Sequence, residues 1–359
     1  MPRRRHSRGR SVDGIVIVDK FKGASSNDVL QRVKRLFGAA KAGHTGSLDP
    51  LATGVLPICL GEATKFSQFL LESNKSYYTQ VQLGVKTTTG DTEGEIIEER
   101  PIQVTRSDVE AVVARFQGSV KQVPSMYSAL KHKGQPLYKL AREGIEVERP
   151  MRTVSIFRNE LVSFDGNQLE LEVDCSKGTY IRTLVEDIGD ALGCLAHVKV
   201  LRRLKAGPYD QAQAYSLDDL EQIKHTGMVR ALTIDQSERL ERLYEQIDEA
   251  SRDSLEEHQL QMLKELNSVR KRGANNMLDA LLLPMDTAIV DWPEVTLGAN
   301  ASFYLAQGQP VLAPKSPTNG NVRIYSQSEA PASERRFLGV GEILDDGRVT
   351  PRRLVSSAL

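Results

Sequence analysis

The residue types best suited to chemistry gather in one stretch, AGHTGSLDPLATGVLPICLGEATK, running from Ala42 to Lys65. Its first thirteen residues hold three glycines (Gly43, Gly46 and Gly54), His44 and a single acid, Asp49, followed by Pro50. Several chemistries are excluded by what is missing. A phosphate-cradling loop needs Gly-Lys-Ser/Thr opening a helix, and a dinucleotide site needs G-x-G-x-x-G after a strand; neither is present. Metal ligation needs more donors than His44 and Asp49, and no HxH or HExxH lies nearby. A glycosidase needs two opposed carboxylates, and the stretch offers one. What remains is one Asp held in a turn. Pro50 biases Asp49 away from the helical region, the glycines let the backbone turn closely on either side, and Leu48 and Leu51 are suited to anchor the loop in the core with the carboxylate at its edge. On these residues alone two readings stay open: a covalent nucleophile, or an Asp-Pro turn that caps a helix.

The flanking segments must position that loop. GIVIVDK (Gly14 to Lys20) is a β-branched run that delivers Asp19 and Lys20 to a loop. SSNDVLQRVKRLFG follows with cap residues at Ser25 to Asp28, apolar residues at helical spacing and Gly38 as a stop. EATKFSQFLLESN predicts one amphipathic helix ending near Asn74, and KSYYTQVQLGV alternates as a strand. TTTGDTEGEIIEE predicts a turn into another strand, and Thr105 with Asp108 a capping box opening a helix. Strands are expected at 154–163, 169–175 and 196–204, with a helix over 180–192. Strand and helix signals mix without a regular βαβ rhythm, which indicates α+β with a mixed sheet. Residues 236–275 are highly charged, lack proline and space their apolar residues helically, predicting one long helix or a helical hairpin. From Pro293 onward the chain is short-stranded and turn-rich, with a hairpin around Asp345 to Gly347, as in a small β-rich domain.

Composition sets the outer limits. The chain has 359 residues, 40% of them hydrophobic and 26% charged, and no apolar run approaches the ~20 residues that span a bilayer; a cytoplasmic location with no membrane association is expected. Cys59, Cys175 and Cys194 lack a CxxC or His-rich partner and read as core thiols. With 47 basic and 47 acidic residues the chain is balanced, which argues against indiscriminate coating of nucleic acid. The start, MPRRRHSRGR, carries five arginines and reads either as a disordered basic arm over 1–10 that meets a polyanion or as a solvated tail.

The stretch from Ala42 to Lys65 resembles the signature of bacterial TruB-type tRNA pseudouridine synthases. GIVIVDK with GASSND, KSYYTQVQLG, VPSMYSALKHKGQPLY, CSKGTYIRTLVEDIG, AHVKVLRRL and GEILDDGRVTPRRLV agree in order. The resemblance implies a pseudouridine-synthase fold with a mixed, mainly antiparallel sheet over 11–290, the 236–275 segment included, and a PUA-like RNA-binding domain over 291–355. It implies isomerisation of the uridine at position 55 of the tRNA TΨC loop without cofactor or metal, by a monomer whose PUA-like part contacts the acceptor end.

Residue by residue, the resemblance assigns Asp49 as nucleophile, attacking C1′ of the ribose or C6 of the base. Arg182 is its ionic partner, and Tyr77 stacks on the target base and is a proton-transfer candidate. His44 fills the gap left when the base is flipped out, and Tyr180 and Leu201 wall the pocket. Lys20, with Arg202 and Arg203, meets phosphates or buttresses the loop. Two departures stand out: Phe21 follows Lys20 where the family usually has Pro, and the 236–275 segment exceeds the usual connection. The rival from another class is a non-catalytic tRNA-binding or RNA-folding protein on the same fold. It has no need to keep Asp49, Tyr77 and Arg182 together.

Overall fold

A computed structural model describes residues 9–249, 255–314, 316–327 and 335–356. The first strand, β1 (Gly14–Lys20), shows what a run of β-branched residues can do: Val16 and Val18 face one core while Ile15 and Ile17 face another. Successive side chains on a strand point to opposite faces, so β1 is buried on both. Helix α1 (Ser26–Leu36) follows, opened by the expected capping box between Ser25 and Asp28. The motif stretch itself becomes β2 (Ala42–His44), a loop, and β3 (Thr53–Leu60).

The helix expected over 62–74 is instead two short pieces, a 3₁₀ turn at Gly61–Lys65 and α2 (Ser67–Leu71). The break falls at Phe66, fully buried with its ring 5.4 Å from that of Phe337. The early stop follows from Lys75, whose ammonium donates to the carbonyls of Leu70, Leu71 and Ser73, as a cation at a helix C-terminus does.

Strand β4 (Lys75–Leu83) leads into the hairpin β5 (Val85–Thr87) and β6 (Ile96–Glu99). Helix α3 (Arg106–Arg115) starts on the predicted Thr105–Asp108 box and precedes β7 (Gly118–Gln122). A small hairpin, β8 (Lys131–His132) and β9 (Gln135–Pro136), and α4 (Leu137–Arg142) interrupt the sheet before β10 (Arg152–Phe164) and β11 (Gln168–Cys175). Then come α5 (Ile181–Leu192), β12 (Ala196–Ala206), β13 (Tyr209–Asp210) and α6 (Leu217–Arg230).

The main sheet runs β1-β3-β12-β4-β11-β10-β7, with β2 on β3 and β13 on β12. All its pairings are antiparallel except β3 with β12, a short parallel contact of Thr53 and Gly54 with Arg202 and Arg203. Inward residues of β11 (Leu169, Leu171, Val173) pack under α3 and α5, and α1 and α6 cover the β1/β3 end.

The 236–275 segment is a hairpin of α7 (Ile234–Glu249) and α8 (Glu257–Asp279), its tip at 250–254 lying outside the described residues. It has its own apolar cluster of Leu240, Leu243, Leu255, Leu263 and Leu266. Helix α8 crosses α6 at Gly227 and Gly273, so closely that a Cβ at Gly273 would lie 2.3 Å from the Gly227 carbonyl oxygen.

The last sheet comprises β14 (Glu294–Leu297), β15 (Val311–Leu312), β16 (Gly320–Ser326), β17 (Arg336–Ile343) and β18 (Arg348–Leu354), with α9 (Ala299–Ala306) packed on it. Its Val340 and Val355 share a core with Phe66 and Leu70. The fold is thus a mixed α+β body with a β-rich C-terminal domain. The three cysteines are buried and unpaired, and among the described residues no helix is long and apolar enough to cross a membrane.

One boundary needs correction. Residues 1–8 of the expected arm lie outside the described residues, but Arg10 belongs to the fold. Its guanidinium donates to the Phe37 carbonyl at 2.7 Å and forms a two-pronged ion pair with Asp279 of α8.

Candidate active site

The loop between β2 and β3 carries Asp49, and its backbone is fixed from four sides. Ser26, at the start of α1, accepts the Leu48 N–H at 2.8 Å and donates to the Leu48 carbonyl at 3.1 Å. Lys20, at the end of β1, donates to the carbonyls of Phe21, Pro50 and Ala52 at 3.0, 3.2 and 2.5 Å. The Gly23 N–H reaches the Pro50 carbonyl at 2.8 Å. Arg203 of β12 donates to the carbonyls of Val55 and Gly46 at 2.7 and 3.2 Å. Leu48 and Leu51 are buried, anchoring the loop as expected.

Where the loop leaves for β3, Gly54 has φ +102°, and a Cβ there would lie 2.2 Å from the Arg203 carbonyl oxygen. Only glycine permits that backbone and that approach. Asp49 caps no helix: its carbonyl closes a turn with the Ala52 N–H at 3.0 Å, and a strand follows.

The Asp49 carboxylate lies 2.9 Å from the Arg182 guanidinium. Arg182, on the first turn of α5, is buried and divided among several partners: it also donates to the carbonyls of Thr89 at 2.9 Å and Tyr127 at 2.8 Å, and sits 3.6 Å from Asp91. Asp91 is itself held by the Thr89 hydroxyl at 2.6 Å and the Glu93 N–H at 3.0 Å. Burial pushes the Asp49 carboxyl above the usual carboxylate range; Arg182 and Lys20 oppose this and Asp91 reinforces it. The Asp49 side chain is nonetheless 38% exposed, because it lies at the floor of an open cleft: deep in protein, yet reachable through the mouth.

That cleft, of about 600 Å³, is lined by Asp49, Tyr77, Tyr180, Arg182 and Leu201. Six of the nine residues singled out from sequence, these five and Arg203, therefore share one cavity, from the loop, β4, the N-terminus of α5 and β12. Burial raises the Tyr77 hydroxyl pKa, with Arg203 drawing it part-way back, so the group is a protonated phenol at neutral pH. Tyr180 is fixed by its backbone: its N–H donates to the Gln122 side-chain oxygen at 3.1 Å and its carbonyl accepts from the Gln122 amide at 3.2 Å.

His44 lies outside that lining, at the end of β2. Burial, then Arg203, lower its pKa, and its Nδ1 is buried without a hydrogen-bond partner among the described residues. It is a neutral imidazole, a planar group without a charge to desolvate on stacking.

Of the two roles expected of Lys20, a phosphate contact or a buttress of the loop, its placement fits the second and not the substrate contact. It is fully buried, its ammonium points at three carbonyls, and burial pushes its pKa down to about 8. It braces the loop from behind and presents nothing to a phosphate. Arg203, 1% exposed, is likewise a brace, and Arg202 is held bidentately by Asp19 at 3.0 and 2.7 Å.

Three residues of the site went unnoticed in the sequence. Asp91 lay in TTTGDTEGE, read only as a turn. Gln122 looked like an ordinary strand end. Lys75, buried in the cleft wall with its pKa pushed down to about 8, opens the strand that KSYYTQVQLGV predicts, and a lysine opening an apolar alternation is the available signal.

Three family descriptions tile the chain: the TruB family pseudouridylate synthase N-terminal domain over residues 34–181, the tRNA pseudouridylate synthase B C-terminal domain over 182–290, and the pseudouridine synthase II TruB C-terminal region over 293–355. The chain is 49% identical over 346 residues to a protein of Ectopseudomonas mendocina described as tRNA pseudouridine synthase B, covering 96% of both. It is 48% identical over 354 residues to the protein so described in Yersinia enterocolitica, covering 99% of this chain and 93% of that one. Among solved structures, that of a Cbf5-Nop10-Gar1 complex matches with TM-score 0.63 at 22% identity, over 95% of this chain and 84% of that one. At that identity the match speaks for the fold alone.

Proposed function

The chain belongs to the TruB family of pseudouridine synthases, and from that premise we propose that it isomerises the uridine at position 55, in the TΨC loop of tRNA, with Asp49 as the nucleophile. The enzyme class is that of its relatives, an isomerase making pseudouridine in tRNA. The observation that carries the residue assignment is the lone carboxylate, held by four backbone clamps at the floor of a cleft and paired at 2.9 Å with a buried arginine.

The reaction needs the N1–C1′ bond of uridine broken and a C5–C1′ bond made, with the C5 proton removed and N1 protonated. An Asp attacking C1′ or C6 provides a covalent tether during that exchange, and the site supports either route. Tyr77 and Tyr180 offer aromatic walls to an extruded uracil, and unstacking that base costs a few kcal/mol. Neutral His44 is suited to take its place in the loop. Arg182 opposes the effect of burial and favours the ionised form of Asp49 that attack requires. The C-terminal domain is assigned the acceptor end, and the working unit a monomer.

The test is an unmodified tRNA transcript incubated with the purified protein, followed by pseudouridine mapping at nucleotide resolution. Conversion at position 55 is expected. Asp49→Asn should abolish it while leaving tRNA affinity within about tenfold, ~1.4 kcal/mol. Turnover by that variant would remove Asp49 from the nucleophile role, and binding without turnover by the wild type would favour the non-catalytic reading.

A further inference from the structure

Four cations line the catalytic cleft, Lys75, Arg152, Arg182 and Arg203, against one acid, Asp49. Three of the four are spent within the protein. Arg182 is divided between Asp49 and two carbonyls, Arg203 between two carbonyls, and Lys75 among three. Arg152 differs. Half-buried in the cleft wall, it has no hydrogen bond or ion pair through its side chain among the described residues. A guanidinium offers five donors in a planar fork matched to two phosphate oxygens, and that of Arg152 lines the same cleft as Asp49.

The backbone of Arg152 is rigidly placed. It opens β10, in register opposite Gln122 of β7, and Gln122 is the residue whose side chain holds the backbone of Tyr180 from both sides. One ladder rung therefore fixes both the pocket wall and the unpaired cation. A nucleotide swung out of its stack brings its flanking phosphates to the mouth of the pocket its base enters. With Asp49 paired to Arg182, the lining keeps an excess of positive charge, and Arg152 is the one cation of it whose donors are bound to nothing in the protein among the described residues.

We propose that Arg152 binds a backbone phosphate flanking the extruded uridine and so anchors the flipped nucleotide. The inference rests on the substrate reading above and adds to it the residue that holds the substrate's charge.

The experiment is a double cycle between the protein and a synthetic T-arm stem-loop. One arm is Arg152→Gln, with Arg152→Lys as the conservative variant; the other replaces the phosphate on either side of the target uridine by a neutral methylphosphonate. Affinity is read as a function of salt, and pseudouridine formation under single-turnover conditions. For Arg152→Gln we expect affinity to fall about tenfold, ~1.4 kcal/mol, and the slope of log K against log salt to flatten by roughly 0.7 to 0.9, one phosphate contact.

Arg152→Lys should recover part of the affinity as a point charge. One of the two methylphosphonates should weaken wild-type binding by a similar factor and have little further effect on Arg152→Gln. An unchanged salt slope in a folded Arg152→Gln protein, or additive losses for both methylphosphonates, overturns the proposal. Failure of the wild type to convert the stem-loop or full tRNA is a different result, since it removes the substrate reading itself.

Discussion

Replacing Ser26 by alanine tests whether the loop that presents Asp49 is positioned by its clamps. The Ser26 hydroxyl holds one residue of that loop by both backbone groups: it takes the Leu48 N–H at 2.8 Å and gives its own proton to the Leu48 carbonyl at 3.1 Å, in a setting where Ser26 is 3% exposed. Its loss leaves a donor and an acceptor unsatisfied in the interior. A buried group left without its partner costs about 1–3 kcal/mol, and the neighbouring cap is untouched, because the capping box belongs to Ser25 and Asp28. At about 2–4 °C per kcal/mol, the melting temperature should drop by several degrees. The catalytic cost follows from the one-residue step between Leu48 and Asp49. A misplacement of about 1 Å at a reacting group costs on the order of 100-fold, so the single-turnover rate should fall by roughly ten- to a hundredfold, with tRNA affinity little changed. Thermal melts and rapid-quench pseudouridine formation at saturating tRNA measure the two effects separately. A destabilised variant with the wild-type single-turnover rate would refute positioning by this clamp; unchanged stability would refute the magnitude assigned to the hydrogen bonds.

Other expectations follow from the charges and from the helix crossing. Since burial raises the Asp49 carboxyl and the proposed attack needs it ionised, the rate should fall as pH drops through that raised value, placing the acid limb above the ~3.9 of an ordinary Asp; Arg182→Met removes the opposing cation and should move the limb to higher pH, whereas an unmoved limb in a folded variant would separate Arg182 from the titration. Gly227→Ala places a Cβ 2.6 Å from the Gly273 carbonyl oxygen, and at about 1–3 kcal/mol for overpacking it should lower the melting temperature and expose the α7–α8 hairpin to protease, while the chemical step, whose residues lie on other elements, keeps its rate.

The parts of the molecule readable from sequence were those whose cause is local. Ser25 with Asp28, and Thr105 with Asp108, announce helix starts because a capping box involves only four consecutive residues. The alternation of QLELEVDC reports one buried face directly. The break at Phe66 was hidden because it depends on a ring from Phe337, far along the chain. The site divides in the same way. Asp49, Tyr77, Arg182, Tyr180 and Leu201 lie in motifs whose resemblance points to them. For Lys20 the motif leaves the direction open, since nothing in VDKF tells whether an ammonium turns outward or under a loop. Asp91 and Gln122 act through partners some ninety and sixty positions away, Arg182 and Tyr180, and a pairing at that distance leaves no mark on either segment alone.

The clamp between Arg10 and the base of the helical hairpin decides where the chain can be shortened or tagged. Arg10 ties the start of the described residues to the Phe37 carbonyl at the end of α1 and to Asp279 at the end of α8. Gly9 lies so close that a Cβ would meet the Ala40 nitrogen at 2.6 Å. Removing residues 1–10 to ask what the N-terminal arginines do for RNA would therefore also cut a fold contact and mix two effects in one result. Removing 1–8 deletes four of the five arginines and spares the clamp, and an affinity tag belongs ahead of Gly9 for the same reason.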